Sequence, residues 1–428
     1  MATRFCDLPE KVLVEIMSWL PPESLVQCKC LRKSWHALID MLIKSRWFVA
    51  KHLENSGSRS SFLFLRGELT SFTNPHMTCD NIVTDIQLVN SYNVCDEKNE
   101  IHFNTQLLTS TTRPKLVKAE YLTSLCNGII FQTESESNKT MLCNPTTREF
   151  KHLDPDLSCF FGSDFKTFMS GFGYDVIDNV YKVVRVVNLP SSSRSGGSKS
   201  ASFGAEVCTL GSNQGDSCWR EIRMIDVGKY FTTGASSGMY HRGFVYWLLC
   251  NVDAATERMI ISFDMHDEDF QVVPLPGGIV DDPMEFNTVD AQNRVTKVGK
   301  GVWFCSWNQC PTLLKIVTQT LPWEADVPKP VEVWTMNTDS SSTSHGRERF
   351  SCWVEQPTFF PPLERFYPVA FWKSDELLLN TVSQPRFASY NLRTQKVRVV
   401  QLHPQTTIMF LFAFVDVKSL VSINNYLS

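Results

Sequence analysis

Residues 142–150 of the 428-residue chain read LCNPTTREF: two apolar residues, an asparagine, five further residues and a phenylalanine. The same arrangement returns at residues 262–270, SFDMHDEDF, and at residues 389–397, SYNLRTQKV. An Asn or Asp side chain at the start of a turn can accept hydrogen bonds from the backbone two residues further on. Each of the three copies is therefore predicted to be a β-hairpin.

A second pattern alternates with the first. Residues 206–210, EVCTL, followed by residues 217–221, SCWRE, are echoed by residues 332–336, EVWTM, followed by residues 351–355, SCWVE. Centres at positions 144, 209, 264, 335 and 391 lie 65, 55, 71 and 56 residues apart. Near-regular spacing of this kind indicates a repeat architecture. Residues 59–428 have room for about six such units.

Segments that begin with glycine and continue with apolar residues supply an inner strand for these units; they are residues 128–131, 243–247 and 301–304. Units of four strands repeated around an axis fit a β-propeller, whose closure removes exposed sheet edges. We expect the last apolar segment, residues 420–423, to close the ring by pairing with residues 61–65. A pair of β-sandwiches is the alternative architecture.

Residues 4–55 predict a separate all-α domain, so the fold class is mainly β with a small helical domain at the N-terminus. Val12, Leu13, Ile16, Trp19 and Leu20 follow the 3.6-residue spacing of an amphipathic helix. A domain of this size buries little surface by itself, yet its apolar face is richer than one small core needs. The excess predicts a groove that another polypeptide covers. A helical cap packed on the β-domain is the alternative.

The composition argues against several classes of function. A net charge of −4 provides no basic face for nucleic acid. The chain after residue 55 is net acidic, which favours a basic partner. No apolar run approaches the ~18 residues that span a bilayer, and the N-terminus lacks the apolar core of a secretory signal. We therefore expect a cytoplasmic or nuclear protein without a membrane partner, whose 14 cysteines are reduced.

Motifs for catalysis or for cofactor binding do not occur in the sequence. The nine histidines are scattered singly and without zinc-binding spacing. A phosphate-binding loop and a serine-nucleophile elbow are also missing. The carboxylates of residues 267–269 fall at a predicted hairpin tip, where charge is usually solvated. We expect no catalytic residue, no metal site and no cofactor, although propellers can host enzymes.

The helical segment resembles the F-box in the order and spacing of its residues. The matching residues are Leu8-Pro9-Glu10, Val12, Ile16, Trp19-Leu20-Pro21, Ser24-Leu25, residues 28–35, Leu38-Ile39 and Phe48-Val49. The resemblance implies binding to a Skp-type adaptor and, through it, to a cullin-RING ubiquitin ligase. The residues that it assigns to the adaptor face are Leu8, Pro9, Val12, Leu13, Ile16, Trp19, Leu20, Pro21, Leu25, Cys30, Leu31 and Trp35.

The remaining chain, residues 59–428, resembles the F-box-associated domain of plants. The resemblance rests on residues 126–128, 144–148, 171–175, 181–185 and 217–220. Within that family the chain is most similar to the S-locus F-box group, including the tail at residues 417–423.

These resemblances imply a non-catalytic substrate adaptor of a ubiquitin ligase, which acts by holding a protein substrate nearby. Membership of the S-locus group would imply basic S-ribonucleases of the style as substrates, a role in self-incompatibility, and action in the pollen tube. A receptor for a glycan or a small molecule, and a paralogue with an unrelated protein substrate, are the alternatives.

Two segments without apolar residues are predicted to be surface loops, residues 191–200 and 339–346. They flank strands of the second pattern in corresponding units, so we expect them to emerge from related places on the ring. Tolerated surface insertion is the alternative to a role in binding. The candidate substrate contacts are Ser191, Arg194, Lys199, Asp339 and His345.

Overall fold

Four helices form the N-terminal part of the protein: α1 (Glu10–Ser18), α2 (Pro22–Cys28), α3 (Lys33–Lys44) and α4 (Arg46–Ser56). Pro9 precedes α1, and its carbonyl accepts the N–H groups of Val12 and Leu13 at 2.9 and 3.1 Å. Pro22 opens α2, a position where its missing N–H is not needed. The prediction of a helical N-terminal segment is confirmed. None of the described helices is long and apolar enough to cross a membrane.

This computed structural model describes most of the chain. The described residues are 8–56, 61–70, 82–107, 121–134, 139–153, 166–189, 202–210, 219–227, 230–231, 236–251, 257–280, 299–318, 330–337, 352–363, 366–381, 387–401 and 410–426. The candidate contacts Ser191, Arg194, Lys199, Asp339 and His345 lie outside the described residues.

After the helices the described chain is almost entirely β-structure, with two short helices, α5 (Gly277–Val280) and α6 (Ile423–Tyr426). The strands are β1 (Ser61–Thr70), β2 (Ile82–Cys95), β3 (Glu100–Leu107), β4 (Tyr121–Cys126), β5 (Ile129–Glu134), β6 (Thr140–Asn144), β7 (Glu149–Leu153), β8 (Lys166–Asp175), β9 (Val180–Leu189), β10 (Ser202–Leu210), β11 (Trp219–Ile222), β12 (Tyr230–Phe231), β13 (Ser236–Ser237), β14 (Met239–His241), β15 (Phe244–Asn251), β16 (Arg258–Asp264), β17 (Phe270–Val273), β18 (Gly299–Trp307), β19 (Cys310–Thr318), β20 (Val331–Asn337), β21 (Cys352–Phe359), β22 (Phe366–Lys373), β23 (Glu376–Thr381), β24 (Phe387–Asn391), β25 (Val397–Gln401) and β26 (Phe410–Val417).

The described strands form five sheets arranged as a β-propeller. Sheet I is β4-β5-β6-β7, sheet II is β11-β10-β9-β8-β13, and sheet III is β12-β15-β16-β17 with β14 on β15. Sheet IV is β18-β19-β20-β21, and sheet V is β22-β23-β24-β25-β3-β2-β1-β26. The expectation of about six units is corrected to five, because β25 pairs in parallel with β3 and merges two four-stranded arrays into one sheet.

The repeated hairpins occur where the sequence predicts them, between β6 and β7, β16 and β17, and β24 and β25. In each turn an Asn or Asp side chain accepts backbone N–H groups two and three residues later; the acceptors are Asn144, Asp264 and Asn391. Asp175 forms the same turn between β8 and β9. The residue four positions after each acceptor has a positive φ, between 56° and 59°. The second pattern corresponds to β10 with β11 and β20 with β21.

The ring closes through β26, which pairs antiparallel with β1 from Ser61↔Val417 to Glu68↔Phe410. The expectation that residues 420–423 would pair with β1 is therefore wrong. These residues instead pack beneath the β6–β7 turn, where Leu420, Val421 and Ile423 are buried. Asn144 Nδ2 donates to the carbonyls of Ser419 and Val421 at 3.2 and 2.7 Å.

We call the end of the sheets that carries the β4–β5, β6–β7 and β8–β9 turns the turn end, and the opposite end the far end. β1 begins at the turn end only a few residues after α4, and β26 finishes beside it. The segment after β26 then crosses the β6–β7 turn. The helices are therefore attached at the turn end.

Replacing Asn144 with Asp tests the contact between the C-terminal segment and sheet I. Aspartate keeps the Oδ1 acceptor that the turn requires, but it cannot donate to the carbonyls of Ser419 and Val421. Because buried carbonyls lose their partners, we expect Asn144→Asp to lower the free energy of unfolding by about 2 kcal/mol in urea denaturation. The exposed neighbour Asn424 supplies the control, and Asn424→Asp should change stability by less than about 0.5 kcal/mol.

Asp416 at the ring closure predicts a pH dependence of stability. Burial raises the pKa of its carboxyl group to about 6, against the lowering effect of hydrogen bonds from the Gly128 and Val417 N–H groups. An unfolded Asp titrates near about 4, so this contribution to stability is fully present below about pH 4 and is lost as pH rises through about 6.

Asp416→Asn stays neutral throughout this range. The unfolding free energy of the wild type, relative to this variant, should fall by about 2 kcal/mol between about pH 4.5 and about pH 7.5. If the difference in unfolding free energy between the wild type and Asp416→Asn does not change with pH, the pKa of Asp416 is not raised in the folded protein.

Candidate partner-binding face of the helical domain

For its length, the helical segment exposes more large apolar side chains than the rest of the described chain. Fourteen large apolar side chains are exposed among the described residues, and six of them lie in residues 8–56, which form about a sixth of the described residues. Their exposed fractions run from 42% to 66%; the six are Val12, Trp19, Val26, Leu31, Met41 and Trp47. Exposed apolar surface at this density is typical of a protein that binds another protein.

The residues that the F-box resemblance assigns to an adaptor face divide into three groups. Exposed side chains belong to Pro9, Val12, Trp19, Pro21, Cys30 and Leu31. Half-buried side chains belong to Leu8, Ile16, Leu20 and Trp35. Leu13 and Leu25 are buried, at 8% and 0% exposure, so they support the domain from its core and offer no surface to a partner.

Sequence reasoning missed three exposed apolar side chains, Val26, Met41 and Trp47. They lie in α2, α3 and α4, respectively. Apolar periodicity does not distinguish helix positions that pack inward from apolar positions that remain exposed. Only the packing of α3 and α4 against the other helices separates the two.

Polar contacts order the surface shared by α1 and α4. Trp19 Nε1 donates to Glu15 Oε1 at 3.2 Å, and Lys51 forms an ion pair with the same carboxylate. The Lys51 ammonium also lies 5.5 Å from the centre of the Trp47 ring. The pKa of Glu15 is lowered, chiefly by its hydrogen bond from Lys51 and then by the one from Trp19. These contacts hold two aromatic rings at the surface.

Beneath this surface the helices share one core with the propeller. Met17, Leu25, Ile39 and Phe48 belong to the same buried cluster as Phe131 of sheet I, Phe172 of sheet II and Leu420. Lys418 after β26 also forms an ion pair with Glu23 of α2 at 2.5 Å. The inner face of the helical domain is therefore buried against the propeller. The exposed residues above belong to its remaining surface.

Long connections leave both ends of the propeller. The turn end carries tight turns such as residues 127–128, 176–179 and 308–309, while residues 154–165, 190–201 and 319–330 connect strands at the far end. The candidate loop at residues 191–200 joins β9 to β10 and so belongs to the far end. The loop at residues 339–346 joins β20 to β21 at the turn end. The prediction that both loops emerge from related places is wrong.

A buried ion-pair network joins sheets II and III at the turn end. Lys182 Nζ lies 2.9 Å from Asp175 Oδ2, 2.8 Å from Glu268 Oε1 and 2.7 Å from the Met265 carbonyl. Burial opposes ionisation of Asp175, but the Lys182 ammonium and two backbone N–H groups lower its pKa overall. The turn at residues 265–269 is therefore only partly solvated, contrary to expectation, since Glu268 is a member of this network.

Asp175, Asp178 and His266 bring possible metal-ligand atoms within 4.8 Å of one another. The Lys182 ammonium already supplies a positive charge to the buried Asp175 carboxylate. We therefore interpret the three residues as part of the ion-pair network and not as a metal site.

The described cysteines give no sign of an activated thiol. Burial raises the pKa of Cys143 to about 12, and the buried thiol of Cys126 is raised well above its usual range. A thiol in this state is a poor nucleophile. Cys208 is disulfide-bonded, so the expectation that every cysteine is reduced is wrong for this residue.

The architecture is a small helical domain with a bare apolar surface, fixed to one end of a propeller. A family model described as the F-box associated beta propeller domain matches residues 83–295, and an F-box-like model matches residues 5–46. Together with the relatives below, these matches support the assignment of the chain as a plant F-box protein that carries an F-box-associated domain.

Among the relatives, At1g70380 of Arabidopsis thaliana is 26% identical over 278 residues, which are 64% of this chain and 65% of its own length. The F-box protein At3g47030 of Arabidopsis thaliana is 24% identical over 276 residues, 63% of this chain and 57% of its own length. The chain spans less than two thirds of these relatives. TolB from Acinetobacter baumannii is 8% identical, with a TM-score of 0.35 over 83% of this chain and 73% of its own; a likeness at that level carries no argument.

The network of Lys182 predicts a large effect of one substitution. Lys182→Met removes the cation and leaves two carboxylates with little exposure, so we expect a loss of about 3–5 kcal/mol in the free energy of unfolding. Lys51→Met removes the cation of the more exposed pair with Glu15 and should cost less than about 1 kcal/mol. Equal losses in the two variants would show that the buried network adds no stability.

Proposed function

We propose that this protein is the substrate-recognition subunit of a Skp-cullin-F-box ubiquitin ligase. In this proposal the exposed helical surface binds a Skp-type adaptor, and the propeller holds a protein substrate. The protein supplies proximity and no bond chemistry, because it raises the effective concentration of substrate lysines near the charged conjugating enzyme. The F-box-like match at residues 5–46 supports the adaptor, and the propeller match supports the substrate receptor.

The observation that carries the proposal is the bare apolar surface of the helical domain. Val12, Trp19 and Leu31 expose 42%, 46% and 66% of their surface, although the inner face of the same domain is sealed against the propeller. Burying such side chains in an interface contributes roughly 25 cal/mol for each Å² of apolar surface removed from water. A helical partner that covers this surface would therefore bind with a hydrophobic driving force.

The far end of the propeller is the end we propose for the substrate. Three long connections, residues 154–165, 190–201 and 319–330, lie opposite the helices, and long loops on a rigid scaffold commonly carry binding residues. Ser191, Arg194 and Lys199 belong to this end by their position between β9 and β10. Asp339 and His345 fall between β20 and β21, on the end that carries the helices, and so contribute less readily to the same site.

For the finer assignment, we propose the S-locus F-box group, with basic S-ribonucleases as substrates and a role in self-incompatibility in the pollen tube. The net charge of −4 favours a basic partner, and the tail at residues 417–423 resembles that group. We propose that the protein acts in the cytoplasm, with the nucleus as a second location.

The adaptor assignment is tested by co-purification of the full chain with a Skp-type adaptor. We expect Val12→Glu combined with Leu31→Glu to weaken binding more than about tenfold, because two charges would enter an apolar interface. Val176→Glu combined with Ile177→Glu, on exposed side chains of the β8–β9 turn, should leave binding unchanged.

A second variant tests the N-terminal residues of the resemblance directly. If Leu8→Ala combined with Pro9→Ala leaves adaptor binding intact while circular dichroism shows intact helices, the F-box assignment of residues 4–55 is wrong.

A further inference from the structure

A cleft lies at the outer rim of the propeller, between sheets III and IV. It has a volume of about 430 Å³ and is bounded by the segment that follows β17 and by the outer strands β20 and β21. Among the described residues that line it, Glu355 alone is charged. Two tryptophans, Trp334 and Trp353, line the same cleft. The cleft is distant in the chain from the helical surface and was not singled out by the sequence.

Strand register brings the key side chains to one face of sheet IV. Trp334 is paired with Glu355, and Met336 is paired with Trp353, so all four point to the same side. Trp353 Nε1 donates to the Pro274 carbonyl at 2.7 Å, which fixes this indole across the cleft. Trp334 is 6% exposed and forms the floor against Gly278. Glu355 is exposed beside it.

Sheet II shows a cation held by a carboxylate and an indole in another part of this protein. There Arg185 of β9 forms an ion pair with Glu206 of β10, and its guanidinium lies 3.8 Å from the centre of the Trp219 ring on β11. A cation at this distance from an indole face is attracted by the ring quadrupole. The site in sheet II therefore consists of a carboxylate and an indole with a guanidinium between them.

In sheet IV the equivalent of Glu206 is Glu332, which keeps its own cation, while Trp353 and Glu355 place a separate indole and carboxylate on the outer strand. Lys315 pairs with Glu332 in the register that Arg185 has with Glu206, at 3.2 Å, and its ammonium then donates to the Gly278 carbonyl at 2.9 Å. The outer strand is also shifted by two residues. In the repeat Cys208 corresponds to Trp334, yet Trp219 pairs with Cys208 while Glu355 pairs with Trp334.

The carbonyls of Pro274, Pro276 and Gly278 already accept hydrogen bonds, which leaves Glu355 as the charged acceptor among the described lining residues. Pro274 and Pro276 have no N–H group, and the Trp353 N–H is already used. Within the part of the chain that the structure describes, the Glu355 carboxylate forms no ion pair. A ligand that fits such a site is a donor with positive charge.

We propose that this cleft binds an arginine or lysine side chain from a basic segment of a partner protein, held between the Trp353 indole and the Glu355 carboxylate. The proposal goes beyond the substrate-receptor function and does not depend on the helical surface. It names a second contact on the propeller and the charge of the partner that occupies it.

The test uses the full chain labelled with ¹⁵N at its indole groups and followed by NMR. Trp353→Phe identifies the Trp353 indole signal by its loss. Titration with Nα-acetyl-arginine methylamide should shift this signal with a saturable curve. Nα-acetyl-citrulline methylamide has nearly the same shape and no charge, and it should leave the signal unmoved. Equal shifts with the two probes would overturn the proposal.

Glu355→Gln should weaken arginine binding about fivefold or more, because the variant keeps the shape and loses the charge-assisted hydrogen bond. Glu221→Gln is the matched control, since Glu221 is an exposed carboxylate on β11, the outer strand of sheet II. Unchanged affinity in Glu355→Gln would overturn the proposal, as would equal losses in the two variants. Arg347 and Arg349 precede β21 in the chain and are the internal competitors for the cleft. If the probe binds only to the variant Arg347→Ser with Arg349→Ser, the occupant is one of these arginines and the partner proposal fails.

Discussion

The pairing of β26 with β1 joins the last strand of the chain to the first strand of the propeller. It also delivers residues 418–426 to the turn end, where Asn144 holds two of their carbonyls and Lys418 reaches Glu23. Because α4 leads almost directly into β1, the same pairing fixes where the helices can lie. The pairing of β1 with β26 therefore both closes the ring and sets the position of the helical domain.

This arrangement determines which apolar side chains remain available. Met17, Leu25 and Phe48 are used in the shared core, and Val12, Leu31 and Trp47 are left at the surface. The two sets alternate along the same helices, so a partner can cover the second set without disturbing the first. A protein built in this way can hold the exposed helical surface and the propeller in one fixed relation.

Equivalent positions in the repeated units bind different groups. The turn acceptors Asn144, Asp175 and Asn391 make the same local hydrogen bonds, but their remaining atoms bind a C-terminal carbonyl, a lysine and a glutamate, respectively. In the same way sheets II and IV share an ion pair between adjacent strands and differ in what covers the outer tryptophan. Differences between equivalent positions mark where the propeller can recognise other molecules.

Local patterns in the chain were enough to predict the helical segment, the repeated hairpins and the strands of the second pattern, because apolar periodicity and Asx turns are local properties. Through the F-box resemblance the sequence also indicated three of the six large apolar side chains that are exposed in residues 8–56, namely Val12, Trp19 and Leu31. Tertiary structure decided the five sheets, the role of residues 420–423 and the burial of Leu13 and Leu25. It also decided the end from which each loop leaves. These features depend on pairing between strands far apart in the chain, such as β25 with β3, and a local pattern carries no information about such partners.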